Sequence, residues 1–206
     1  MSADREETGP PRGGGDPDEL GLSLDDPAVL RALAHPTRLA LLELLIVHGP
    51  LTASEAGRLL GLQPNAVSFH LRQLASHGFV AEAPGGTGRR RPWKLTRVSF
   101  RVPDGAVGSE LDAAATAFSG VTVARRLAEL QEWFERRGSE TPEWREAGGF
   151  GYSILFLEAA ELTELRHRVD REVLAYLDRV DPANRPPGSR PVSIQLYAFP
   201  LETEPS

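Results

Sequence analysis

Residues 52–77 read TASEAGRLLGLQPNAVSFHLRQLASH. Thr52 and Glu55 stand at the spacing of a capping box, in which each side chain satisfies an open backbone N–H of the first helical turn. Ala56, Leu59 and Leu60 form an apolar stripe, and Gly61 supplies the left-handed residue that ends the helix. Pro64 sits where a second helix would start and where its missing N–H costs nothing. Val67, Leu71 and Leu74 then recur at helical spacing and predict a core face. At about 100° per residue, Asn65, Phe69, Arg72, Gln73 and Ser76 fall on the opposite face. Two helices about a tight turn, the second free to enter a major groove, make a helix-turn-helix.

Phe69 is the informative residue of the outer face, because a surface helix gains nothing by exposing a phenylalanine unless something covers it. A thymine methyl suits it, Asn65 suits adenine, and Arg72 suits guanine or a phosphate. The competing reading is local: Phe69 packs under a loop of its own domain, with Asn65 and Arg72 merely solvated. The charge distribution favours the first reading. The chain of 206 residues carries a net charge of −6. Split by segment, residues 1–25 carry −5, residues 26–102 carry +6 and residues 103–206 carry −7. A basic block that coincides with the helix-turn-helix is the footprint of a localised phosphate-binding face.

Outward from this stretch, residues 1–22 are rich in Gly, Pro, Asp and Glu and predict a disordered acidic tail. A DNA-binding domain is expected over 23–102. Its first helix starts from a cap at Asp25 or Asp26 with Pro27 at the first helical position, carries Leu30 and Leu33 inward, and stops before Pro36. A second helix spans Pro36 to His48, with Leu39, Leu42, Leu45 and Ile46 inward and Gly49-Pro50 as its stop. After Gly78, Phe79–Ala81 and Trp93–Leu95 read as strands around the Gly-rich basic loop PGGTGRRR (84–91), a β-hairpin. As a wing, its Arg89, Arg90 and Arg91 would enter a minor groove or grip phosphates; as a plain hairpin tip they would be solvated. A nucleotide-binding loop is disfavoured, since the Gly-Gly-Thr-Gly run lacks the Gly-Lys-Ser/Thr ending and the strand-to-helix context.

These residues carry a family resemblance. ALAHPTRLALLELL (32–45), LTASEAGRLLGLQPNAVSFHLRQLASHGFV (51–80) and GRRRPWKLT (88–96) resemble the winged-helix domain of ArsR-type bacterial transcriptional regulators over Asp26 to Val102. The resemblance implies that Gln63, Asn65, Ser68, Phe69, His70 and Arg72 face DNA and that the wing arginines contact the flanking backbone or minor groove. Gln73 on the outer face and Lys94 in the wing strand complete the candidate DNA-binding set. His70 lies about 60° from Val67, near the rim of the core face, where a packed structural role competes with a DNA contact. His77, on the same edge, reads as structural.

The chain departs from the family in two ways. It has no cysteine, which excludes disulfides and thiolate metal sites. Its histidines (35, 48, 70, 77 and 167) are scattered, and Glu164-x-x-His167 reads as an exposed charged helix face. No metal and no cofactor are expected. The second departure is the length after the winged helix. Leu111, Ala115, Phe118, Val123, Leu127, Leu130 and Phe134 predict a helix over 109–137 that resembles the dimerisation helix of such regulators; docking on the winged domain of the same chain is the alternative. Phe150–Leu157 reads as a strand, Glu158 to about Val180 as an amphipathic helix, and Val192–Phe199 as a last strand. This strand–helix–strand module over 103–206 would gather Trp133, Trp144, Phe150 and Tyr152 into an apolar cluster, either as its core or as a pocket for a small-molecule effector.

No catalytic constellation is present. There is no Gly-x-Ser-x-Gly, no His-Glu-x-x-His and no Gly-x-Gly-x-x-Gly, and Ser68 and His70 diverge by about 200° on their helix. No apolar run reaches the length of a membrane span and no secretory leader is evident, which points to a cytoplasmic chain. The expectation is an α+β, non-enzymatic, homodimeric transcriptional regulator on double-stranded DNA with an inverted-repeat operator. The runner-up is a winged helix that docks a protein partner, which an exposed Phe69 would also serve.

Overall fold

The computed structural model describes residues 22–86, 91–97, 100–102 and 105–202. Five helices and short strands form the first half of the fold. The elements are β1 (Leu22–Ser23), α1 (Pro27–Leu33), α2 (Pro36–His48), α3 (Ala53–Leu60), α4 (Pro64–Ser76), β2 (Val80–Glu82), β3 (Trp93–Leu95), β4 (Phe100–Arg101) and the long α5 (Glu110–Arg136). Each start has a visible local cause. Asp26 accepts the Ala28 N–H at 2.7 Å ahead of Pro27, and the Nδ1 of His35 accepts the Thr37 N–H at 3.1 Å ahead of Pro36. The Thr52–Glu55 capping box is present in both directions, and Gly61 ends α3 at φ 67°. Ser109 caps α5 by accepting the Asp112 N–H at 3.1 Å.

The core fills the space between these helices, with Leu30, Leu33, Leu41, Val67, Leu71, Leu74 and Phe79 all within 1 % of complete burial. β2 and β3 pair antiparallel in the register Val80↔Leu95, Ala81↔Lys94, Glu82↔Trp93. Leu51 bridges to Trp93 through two backbone hydrogen bonds, which extends the hairpin towards the start of α3. α5 lays its first turns chiefly against α1, burying Ala114 and Phe118. Farther along, Arg125 and Arg126 both grip Glu43 of α2, and Arg126 also reaches Glu129 at 2.7 Å. The first half of the 109–137 helix is therefore docked within its own chain, while Leu127 and Phe134 of the second half are exposed.

Several expectations are corrected. Structure begins ahead of the Asp25 or Asp26 cap, because Leu22–Ser23 pairs in parallel with Phe100–Arg101 and Leu24 is buried; residues 1–21 of the expected acidic tail lie outside the described residues. Leu59 faces solvent rather than the core, and Ala53 and Gly57 are buried instead. In the second half, α6 (Pro142–Ala147) and α7 (Ala159–Leu174) form, and short 3-10 turns follow at Leu177–Val180 and Pro182–Asn184. The strands expected at 150–157 and 192–199 do not. Both segments run on without a turn, but a strand exists only through a ladder partner. Neither segment makes a backbone–backbone hydrogen bond among the described residues. The aromatic cluster is also smaller than expected. Trp133, Phe134 and Phe150 stack in sequence at 5.0 and 6.4 Å, Trp144 instead lies under Arg190 at 4.7 Å, and Tyr152 stands in solvent.

Arg185 ties the second half to the first. The Arg185 guanidinium donates to the carbonyls of Ile46 and Val47 at 2.7 and 2.8 Å, and to those of Arg179 and Val180 at 3.0 and 2.8 Å. It thereby satisfies open carbonyls at the C-terminal end of α2, where a cation is also favoured by the helix dipole.

Candidate nucleic-acid interface

α3 and α4 meet at a turn made possible by a missing side chain. The Leu62 N–H returns to the Gly57 carbonyl at 2.8 Å, and a Cβ on Gly57 would stand 2.6 Å from the Leu62 carbonyl oxygen. With this turn closed, Val67, Leu71 and Leu74 anchor α4 in the core, and the remaining faces are presented outward.

Gln63, Asn65, Phe69 and Arg72 are exposed, while Ser68 and Gln73 are half-buried at the edges of the row. Phe69 is 53 % exposed, and among the described residues the His70 ring stands edge-on to it at 5.4 Å. Among the described residues Arg72 has no ion-pair partner, which leaves its guanidinium available to an acceptor outside the chain.

His70 turns away from this row. Its ring stacks on His35 at 4.7 Å, and its Nδ1 is buried without a hydrogen-bond partner. Burial holds its pKa below the usual histidine value, and the neighbouring His35 and Arg38 add to the shift. His35 is lowered as well, first by burial and then by Arg38. An uncharged His35 is also what its cap requires, since Nδ1 must keep its lone pair to accept the Thr37 N–H. The two imidazoles form a neutral wedge between the start of α2 and the middle of α4.

In the wing, Arg89 and Arg90 lie outside the described residues. Arg91 is described and donates to Glu82 at 2.7 Å, a bond that raises its pKa further above the ordinary arginine value. Lys94 is exposed on β3. Two further exposed cations, Arg58 on α3 and Arg97 just beyond β3, belong to the same basic block. Sequence reasoning misses both, because charge is their sole signal and neither lies on a recognition helix or a hairpin tip.

Residues 33–83 match the family model of a helix-turn-helix domain. No curated protein matches the chain. Among solved structures, a MarR family regulator from Neisseria meningitidis is similar at 19 % identity, over 72 % of this chain and 80 % of that one, with a TM-score of 0.30. The domain match, the helix pair about the Gly61 turn and the β2–β3 hairpin define a winged helix-turn-helix. No helix among the described residues is long and apolar enough to cross a membrane.

Proposed function

We propose that the protein is a sequence-specific DNA-binding transcriptional regulator of ArsR type, acting as a homodimer on an inverted repeat. The observation that carries this reading is the outer row of α4. A half-exposed phenylalanine stands between Asn65 and the unpaired Arg72, on a helix whose other face is locked into the core. Phe69 reads a thymine methyl, Asn65 an adenine edge and Arg72 a guanine edge or phosphate, with Gln63, Ser68 and Gln73 along the rim. The wing arginines and Lys94 hold the flanking backbone; Arg91 exchanges Glu82 for phosphate on binding. His70 supports the helix from behind. Two-fold symmetry sets the half-sites about 34 Å, or one turn, apart.

The test is capture of sheared DNA from the source genome by the purified protein at about physiological salt, followed by sequencing. Enrichment of a few fragments that share an inverted repeat is the expected result. Uniform enrichment across the genome would sink sequence-specific regulation by the free protein. A protein-docking winged helix would be recognised by binding that barely changes with salt, because it releases no counterions.

A further inference from the structure

Among the described residues, nothing after Phe118 is buried. The second half nevertheless contains a regular amphipathic helix and two long apolar segments. In 150–157, Phe150 and Tyr152 alternate with Gly151 and Ser153 before a continuous apolar run, Ile154 to Leu157; in 192–199, Val192, Ile194 and Leu196 alternate with Ser193 and Gln195. These side chains are exposed, Phe156 at 94 %, and the backbone beside them has no hydrogen-bond partner among the described residues. α7 completes the burial of none of its apolar stripe: Leu162, Leu165 and Val169 are half-buried and Val173 is exposed. A peptide-binding groove has walls that are themselves packed. Two extended apolar segments without ladder partners and a helix face only half covered are instead part of a core.

We propose that a second copy of this chain supplies the rest: residues 150–157 and 192–199 of two copies pair into one sheet across the two-fold axis, with α7 of each closed over it. The inference rests on the homodimer reading above and names its interface. Area supports a copy of the chain as the occupant. At about 150–250 Å² per aromatic side chain, Phe150, Tyr152, Phe156, Tyr197 and Phe199 expose on the order of 500–900 Å². A stable interface takes about 800 Å² from each partner. Symmetry supports it too, since a two-fold axis lets one chain close both of its open edges on the same surface of its copy. Open edges with apolar faces are otherwise an aggregation hazard.

The test uses the full chain and two substitutions, Tyr152→Arg and Phe156→Asp, at positions so exposed that a single chain loses little by them. Sedimentation should give a dimer for the unaltered protein, and each substitution should weaken it at least about tenfold. Hydrogen exchange should show the amides of 150–157 and 192–199 protected above the dimer dissociation constant and unprotected below it, with 53–76 protected throughout. A dimer with both segments unprotected overturns this interface and leaves the homodimer reading standing. Protection that persists in the monomer shows pairing within one chain and overturns the proposal. A dimer with protected segments that selects no DNA supports the interface while the operator reading fails.

Discussion

Arg72 and the His35–His70 pair show how neighbouring side chains on one helix come to do different work. Arg72 faces outward without an ion-pair partner among the described residues. Arg72→Ala should cost about 1–3 kcal/mol of discrimination at one base pair of each half-site, read by competition between operator and single-base variants. Equal losses on every sequence would make it a phosphate contact instead. His70, two residues earlier, is held neutral by burial and by His35 and Arg38. Unfolded histidines take up protons near pH 6.5, whereas the folded pair resists until lower pH. The unfolded state thus binds more protons in that interval, so stability falls as pH drops from about 7.5 to about 5.5. Thermal melts across this range should show the fall, and His70→Gln should make it shallower; an unchanged slope would remove the pair as its source. The outward direction of Arg72 was readable from helical periodicity. The His35–His70 contact was not, because it joins two helices whose crossing no local pattern encodes.

The helix-turn-helix depends on a close approach that a single methyl group would spoil. Gly57→Ala gains about 1 kcal/mol of helix propensity but drives a Cβ to 2.6 Å from the Leu62 carbonyl. Overpacking against backbone costs about 1–3 kcal/mol, so a net loss in chemical denaturation is expected. The wing acts as an element in another sense, through charge. Replacing Arg89, Arg90 and Arg91 by alanine should weaken binding to all DNA sequences and reduce the salt slope by up to about 3, roughly one for each phosphate no longer neutralised. An unchanged affinity and slope would show that the wing does not touch DNA. The capping box, Gly61 and Pro64 were legible because caps and breakers act over four residues. The importance of Gly57 was not, since its constraint comes from the chain after the turn.

Over the whole molecule, Arg185 couples the halves by filling the carbonyls at the end of α2. Arg185→Ala removes four hydrogen bonds from a charged donor and should lower stability by about 1–3 kcal/mol. It should also speed hydrogen exchange at 177–184 while α4 stays protected. Exchange that speeds equally everywhere would mean that the halves do not unfold separately. The charge layout belongs to this scale as well. A net acidic chain approaches DNA only if its +6 segment is presented as one face, and the acidic flanks then disfavour other orientations.

What the sequence by itself determined was local: the caps, the glycine and proline stops, the inward and outward faces of α4, and the hairpin that follows it. These are set by interactions within a few residues, so periodicity and turn chemistry suffice to read them. Tertiary structure decided where elements go. It docked the first turns of α5 on α1, joined Leu22–Ser23 to Phe100–Arg101, and turned His70 onto His35. It also decided that 150–157 and 192–199 are not strands in the single chain. Alternating apolar residues declare a capacity to pair, but a strand forms only where another backbone offers its N–H and C=O groups, and that partner is supplied in space rather than in sequence.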